Sequence, residues 1–323
     1  MAAPSTLALG CDLGGTNVRV AALDASGHVH QVSRCKLVDR APEAVADQLA
    51  EAAGEVLQRI GATVDQVAAV GVGVAGQCFG STGMVLVGPN LGWRNVPFGS
   101  LVEERLRRPV RIVNDLSAAA WGEAQVGGAR GARDVILVFV GSGVGAGLIF
   151  DGRLYEGVGG IAGEFGHIKV VPAGRKCGCG ELGCLEAYTG GHNIARRLRE
   201  LEAGGRARAI LRAAGGDPTR ISGAALEMAA EEGDTEALAL RSEIAQMLGV
   251  QIGNLVTLLN PARLILGGGV LSGMPGLKAE TIDWIRRSAG RAHIDQVTIL
   301  DAALGDDAGV IGAGLLALHA AGA

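Results

Sequence analysis

The stretch Thr6–Asp24, TLALGCDLGGTNVRVAALD, decides how the rest of the chain is read. Two apolar runs, Thr6–Leu13 and Val18–Asp24, are rich in β-formers and flank Gly14, Gly15, Thr16 and Asn17, which spells a β-hairpin closed by a glycine turn. The theme returns at Asp134–Gly152, DVILVFVGSGVGAGLIFDG, as strand, turn and strand. Two such units point to an internal duplication; the alternative is two unrelated tight hairpins. Facing one cleft, the two turns would offer backbone N–H groups to a ligand carrying several phosphates.

Outward from the first hairpin the elements alternate. A third strand is expected at His28–Arg34, a helix at Glu43–Ile60, a buried strand at Val67–Val74 ending near Gly76, a helix at Gly99–Arg107, a strand at Val110–Val113 and a helix after Asp115. This is an α/β pattern. Leu185–Asn260 reads as mostly helical, its long last run stopped by Asn260-Pro261. A strand at Arg263–Leu266, the triplet Gly267-Gly268-Gly269, a helix near Leu277–Arg287, a strand at Val297–Leu300 and a helix from Asp307 complete the chain. A hinge near Asn114-Asp115 gives two expected domains: residues 1–114 with 305–323, and residues 115–304 with a metal loop at 164–186.

Composition narrows the partner. The chain has 323 residues, 29 Lys+Arg against 33 Asp+Glu, and a net charge of −4. That balance argues against a nucleic-acid binder, whose footprint is a basic stripe, and the 48% hydrophobic share excludes a disordered chain. Glycine is abundant at 53 residues, more than double the ordinary share of about 7%, while aromatics number 5 Phe, 3 Trp and 2 Tyr. With no collagen period, this reads as backbone approaching something closely, as phosphate-cradling loops do. The longest uncharged run, Val135–Phe150, is broken by glycines and falls short of the roughly 20 residues of a spanning helix. No basic segment precedes the first apolar stretch, so a cleaved signal peptide is not expected and the protein is placed in the cytoplasm, without a membrane partner.

His167, Cys177, Cys179 and Cys184, within GEFGHIKVVPAGRKCGCGELGCLE, are three thiols and one imidazole, the set with which structural Zn²⁺ closes a tetrahedron. The CxC spacing of Cys177 and Cys179 speaks against a redox pair, and Cys11, Cys35 and Cys78 read as core thiols. Asp12 at a strand end, followed by Gly14, Gly15 and Thr16, suits a magnesium-bound phosphate or an ordinary Asx-type turn. Ser142 and Gly143 offer the same backbone capability, without the lysine of a P-loop. Asp115, after a strand and before an alanine-rich helix, is placed either as a general base or as a helix N-cap. Glu164 and Glu186 bracket the metal loop, as acceptors for sugar hydroxyls or as solvated loop acids.

Taken together the residues resemble the ROK sugar kinases. The motifs are DLGGT at 12–16, GVAGQ at 73–77, PNLGW at 89–93, ND at 114–115, GSGVGAGLI at 141–149, AGEFGH at 162–167, CGCGELGCLE at 177–186 and LGGG at 266–269. They run in order over nearly the whole chain, and the cysteine string is the most specific of them. The resemblance implies an actin-like, ribonuclease H-like duplicated two-domain ATPase fold with an interdomain cleft, transferring the ATP γ-phosphoryl group to the 6-hydroxyl of a hexose, glucose above all. Carried over by residue, it implies Asp115 as base. Gly76, Asn114, Glu164, His167 and Glu186 would hold the sugar, and Asp12 would stand near Mg²⁺. Gly14, Gly15, Thr16, Ser142 and Gly143 would meet the phosphates, with Gly267, Gly268 and Gly269 near adenosine. His167 would give one ring nitrogen to zinc and turn the other toward the sugar. The family's members form dimers or tetramers. Ala75, where many members carry Pro, and Leu116-Ser117, where Ala-Asn is common, depart from the pattern beside the sugar pocket.

Two rival readings stand beside glucose. An N-acetylhexosamine such as N-acetylglucosamine or N-acetylmannosamine would use the same Asp, Glu and His groups. A sugar-sensing repressor would need a DNA-binding region, and nothing basic precedes the first strand.

Overall fold

The computed structural model describes residues 6–80 and 82–322. Its strands are β1 (Leu7–Leu13), β2 (Asn17–Asp24), β3 (Val29–Lys36), β4 (Val67–Val74), β5 (Gln77–Phe79), β6 (Met84–Gly88), β7 (Trp93–Val96), β8 (Val110–Asn114), β9 (Val135–Val140), β10 (Val144–Phe150), β11 (Arg153–Leu154), β12 (Arg263–Gly267) and β13 (Thr298–Asp301). The helices are α1 (Pro42–Arg59), α2 (Phe98–Leu106), α3 (Asp115–Gln125), α4 (Glu186–Thr189), α5 (Gly191–Ala203), α6 (Arg208–Ala213), α7 (Gly223–Glu231), α8 (Thr235–Leu259), α9 (Gly269–Gly273), α10 (Pro275–Ser288), α11 (Arg291–Ile294) and α12 (Ala308–Ala321).

The two glycine-turn hairpins open two sheets whose strand orders correspond. The first runs β3-β2-β1-β4-β8 and the second β11-β10-β9-β12-β13. In the first, β1 pairs antiparallel with β2 and parallel with β4, and β4 is parallel to β8; in the second, β12 is parallel to β13. The match of strand order is the duplication expected from the turns. A further three-stranded sheet, β5-β6-β7, follows β4.

By its contacts the chain divides into two compact units: Met1–Ile136 with Gly147–Gly163 and Ala302–Ala323, and Leu137–Ala146 with Glu164–Asp301. The division departs from the expected boundary at 114/115, because α3 belongs with the first unit. Residues 126–136 and 147–163 join it there. The reason is α12, which is buried at Ala308 and from Val310 through Leu318 and lies against β1, β4 and α3. A helix buried all round is a core helix, and its backbone meets its neighbours where they lack side chains. A Cβ on Gly10 of β1 would stand 1.9 Å from the Val310 carbonyl oxygen, and one on Gly71 of β4 would stand 1.8 Å from that of Ala313. One on Gly312 itself would stand 1.7 Å from the Ala118 carbonyl oxygen of α3. Part of the glycine surplus therefore serves helix packing rather than phosphate loops. The fully buried Glu123 of α3 completes the tie: its carboxylate accepts the N–H groups of Gly128 at 2.8 Å, Ala303 at 2.7 Å and Leu304 at 2.8 Å. It thereby fixes the segment that leads into α12.

In the second unit Ile194, Leu198, Ile210, Leu226, Ile244 and Leu277, drawn from α5, α6, α7, α8 and α10, form one apolar core. The Asp234 carboxylate caps α8 by accepting the Ala237 N–H at 2.9 Å, and Asn260, left-handed at φ 44°, ends it just before Pro261. Among the described residues no helix is long and apolar enough to cross a membrane.

Candidate functional site

In the first unit the expected residues gather at the carboxyl ends of β1, β4 and β8, the edge at which open α/β sheets bind ligands. The register explains why. Asp12 lies opposite Gly73 of β4, and Asn114 of β8 lies opposite Val74. Gly73 sits in van der Waals contact with the start of α3, a Cβ there standing 3.5 Å from the Asp115 Cα.

The first turn is braced on both sides. Gly14 donates its N–H to the Asn17 carbonyl at 3.1 Å, Leu37 donates to the Thr16 carbonyl at 2.8 Å, and the Arg40 guanidinium donates to the Gly15 carbonyl at 3.2 Å. Asp12 is a poor fit for a solvated turn acid. Burial raises its carboxyl above the usual range and the nearby Asp306 adds to this, while Arg19 and Arg34 pull it down without prevailing.

Arg19 is the residue that sequence reasoning missed. It faces Asp12 across the hairpin and Arg34 across the next pair, and its guanidinium bonds the Asp307 carboxylate and the Asp306 carbonyl. The hairpin register alone would have found the pairing with Asp12; the aspartates come from the far end of the chain.

The cap of α3 belongs to Asn114 and not to Asp115. Asn114 is the N-cap of α3: its Oδ1 accepts from Leu116 N at 2.9 Å and Ser117 N at 3.1 Å, while its Nδ2 donates to the Gly76 carbonyl at 3.0 Å. Asp115 is therefore the first helical residue rather than the cap, half-buried, with Oδ1 accepting from its neighbour Leu116 N at 2.9 Å. Gly76 belongs to the same knot, since a Cβ there would meet the Val87 carbonyl at 2.3 Å.

In the second unit His167, Cys177, Cys179 and Cys184 bring one ligand atom each within 4.8 Å of one another. Cys177 Sγ lies 3.8 Å from His167 Nδ1, and Cys179 Sγ lies 3.8 Å from Cys184 Sγ. A tetrahedral ion with metal–sulfur bonds of about 2.3 Å sets its ligand atoms about 3.8 Å apart, so the donor set fits. Burial pushes the Cys177 thiol up to about 12, so at neutral pH it stays protonated in the absence of a cation. Lys169 Nζ stands 3.2 Å from Cys184 Sγ as a balancing charge. His167 Nε2 stands 3.5 Å from Glu164 Oε2, so a carboxylate lies beside the second ring nitrogen.

Glu186 opens α4 and reaches two places. Its Oε2 accepts the Val144 N–H at 3.0 Å, and its Oε1 lies 3.6 Å from Cys177 Sγ. It is therefore a built-in acceptor rather than a solvated loop acid. Ser142 and Gly143 form the second turn, which Gly141 closes by donating to the Gly143 carbonyl at 2.9 Å. Gly267 ends β12, Gly268 takes φ 98° with a would-be Cβ 2.4 Å from the Val140 carbonyl, and Gly269 opens α9 with free space around it. Of the other cysteines, Cys11 and Cys78 are buried and Cys35 is half-buried against the first core.

The family model described as "ROK family" matches residues 8–320. A glucokinase of Streptomyces coelicolor is 36% identical over 96% of this chain and 97% of its own. A ROK family glucokinase from Streptomyces griseus, solved in complex with glucose and AMPPNP, superposes with a TM-score of 0.77 at 34% identity, covering 97% of this chain and 99% of that one. An N-acetylmannosamine kinase of Escherichia fergusonii is 31% identical over 97% of this chain and 98% of its own. With its duplicated actin-like sugar-kinase architecture and a match over nearly its full length, the chain belongs to the ROK family.

Proposed function

We propose that the protein is a glucokinase, transferring the γ-phosphoryl group of ATP to the 6-hydroxyl of D-glucose. The observation that carries the reading is the Asn114-Asp115 corner. Asn114 takes the cap, which leaves the Asp115 carboxylate at a strand end and helix start, where a base for a bound hydroxyl is required. The similarity to the glucokinase crystallised with glucose and AMPPNP supports this choice of substrates.

Phosphoryl transfer asks the protein for positioning and charge stabilisation more than for covalent chemistry. The sugar's O6 attacks the γ-phosphorus, the bond to the β,γ-bridging oxygen breaks and ADP leaves, while the hydroxyl proton passes to Asp115. Gly76, Asn114, Glu164, His167 and Glu186 hold the sugar. The backbone N–H groups of Gly15 and Thr16, and of Ser142 and Gly143, meet the phosphates, while Gly14, its N–H given to Asn17, shapes the first turn, and Gly267–Gly269 lie near the adenosine. Mg²⁺ arriving with ATP would be held by Asp12 and would neutralise phosphate charge. Zn²⁺ would be held by His167, Cys177, Cys179 and Cys184, and would fix the His167 ring without touching the reacting atoms. A cytoplasmic homodimer or homotetramer taking part in glycolysis, without nucleic-acid or membrane partners, completes the reading.

The test is ADP release from Mg-ATP with glucose, mannose, fructose, N-acetylglucosamine and N-acetylmannosamine. Selectivity for glucose is expected. Preference for an acetylated sugar, the reading that the N-acetylmannosamine kinase relative favours, would keep the mechanism and change the substrate. Asp115→Ala should fold and lose turnover; a variant keeping about a tenth or more of wild-type kcat would refute the base assignment.

A further inference from the structure

The metal loop is built against the second glycine turn at both of its ends. At one end Gly166, beside the ligand His167, packs so closely that a Cβ would stand 2.2 Å from the Val144 carbonyl oxygen. At the other end Glu186, two residues after the ligand Cys184, accepts the Val144 N–H at 3.0 Å. The chain then continues into α5, where Gly191 donates to the Gly141 carbonyl at 2.9 Å and His192 donates to the Ser142 carbonyl at 3.2 Å. A Cβ on Gly143 would lie 2.6 Å from Glu186 Oε2, so the absence of a side chain at the turn makes room for the carboxylate.

We propose that the Cys/His loop, through Gly166, Glu186, Gly191 and His192, is the brace that holds the turn Gly141–Val144 in its phosphate-binding shape, so that the metal tunes nucleotide binding as well as sugar binding. Glu186 acts here as a positioning residue. The turn's internal bond runs from Gly141 to Gly143, and three further bonds come from Glu186, Gly191 and His192. Releasing a tetrahedral ion frees His167 and Cys184, and with them the two segments that carry the brace. The role in nucleotide binding rests on the kinase reading; the brace itself does not.

The experiment compares the whole chain loaded with Zn²⁺ and stripped by a chelator. Amide hydrogen exchange is followed at Val144, Gly191 and His192, and binding of the fluorescent nucleotide mant-ADP is measured alongside. Stripping should speed exchange at these three amides about tenfold or more and weaken mant-ADP several-fold, while the α12 amides of the first unit stay protected. Cys179→Ser, at the exposed ligand, should do the same with little disturbance of packing. With Zn²⁺ bound, Glu186→Ala should deprotect Val144. Glu186→Gln, whose amide oxygen still accepts that N–H, should restore the protection. Exchange at the three amides unchanged while residues 167–184 loosen would overturn the proposal, as would Glu186→Ala and Glu186→Gln behaving alike. If the loaded protein binds no mant-ADP, the kinase reading falls and the exchange data still decide the brace.

Discussion

Replacing Asn114 with Ala should disturb stability and catalysis in proportions that the hydrogen bonds set. The side chain caps α3 through Oδ1, with Leu116 N at 2.9 Å and Ser117 N at 3.1 Å, and ties the helix start to Gly76 through Nδ2 at 3.0 Å. Loss of an N-cap costs about 1 kcal/mol, and loss of a half-buried neutral hydrogen bond about 1 kcal/mol more, so the expected cost is about 2 kcal/mol. For a folding unit of this size, each kcal/mol lowers the melting temperature by about 2–4 °C, giving a fall of about 4–8 °C by calorimetry at pH 7. Asn114→Asp keeps an acceptor for the cap and loses the donor to Gly76, so its fall should be about half as large. Because the cap sets the direction in which Asp115 leaves the strand, kcat for glucose should drop by about 10²-fold in Asn114→Ala with Asp115 intact. A variant melting within about 1 °C of wild type at undiminished kcat would refute the reasoning, and equal losses in the Ala and Asp variants would refute the division between cap and tie.

Asp12→Asn should raise stability at neutral pH while weakening Mg-ATP binding. The folded carboxyl is raised above its unfolded value, so the native state binds more protons between the two, and wild-type stability falls as pH rises through that window. The gain from Asp12→Asn should therefore shrink as the pH drops toward the ordinary carboxylate range, and chemical denaturation at several pH values will show it; a gain independent of pH would sink the account. Gly312→Ala would drive a methyl into the Ala118 carbonyl and, with α12 unable to move off two strands as well, should cost more than about 4 kcal/mol. Soluble protein with a melting temperature near that of wild type would show that α12 is not packed as described.

The first hairpin, the alternation from β3 to β8 and the long α8 were legible because each rests on local chemistry: alternating apolar runs, a glycine turn, an Asp cap, an Asn-Pro stop. The clustering of His167, Cys177, Cys179 and Cys184 was legible for the same reason, since three thiols and a histidine within one loop have few other uses. What escaped was set at long range. The boundary between units moved because Gly10, Gly71 and Gly312, far apart in sequence, let α12 bury its backbone against β1, β4 and α3. Arg19 escaped because its partners Asp306 and Asp307 come from the last turn before α12. The choice between base and cap at Asp115 could not be made from sequence, as Asn and Asp both cap well; the structure gives the cap to Asn114.

The duplication also shows how one design takes on two jobs. Aligning Gly14 with Ser142 sets Asp12 against Val140, so the second half has no carboxylate at the strand end where the first half holds its own. The first turn is closed by its hairpin neighbours, with Asn17, Leu37 and Arg40 supplying the bonds. The second borrows its support from the metal loop, and its carboxylate, Glu186, is aimed at a turn N–H rather than left for a cation. Since the Val144 N–H is already taken, the capacity of this turn to meet an anion lies with Ser142 and Gly143. The carboxylate at the strand end is thus a feature of the first half alone, and the carboxylate nearest the second turn is spent on holding that turn's own backbone.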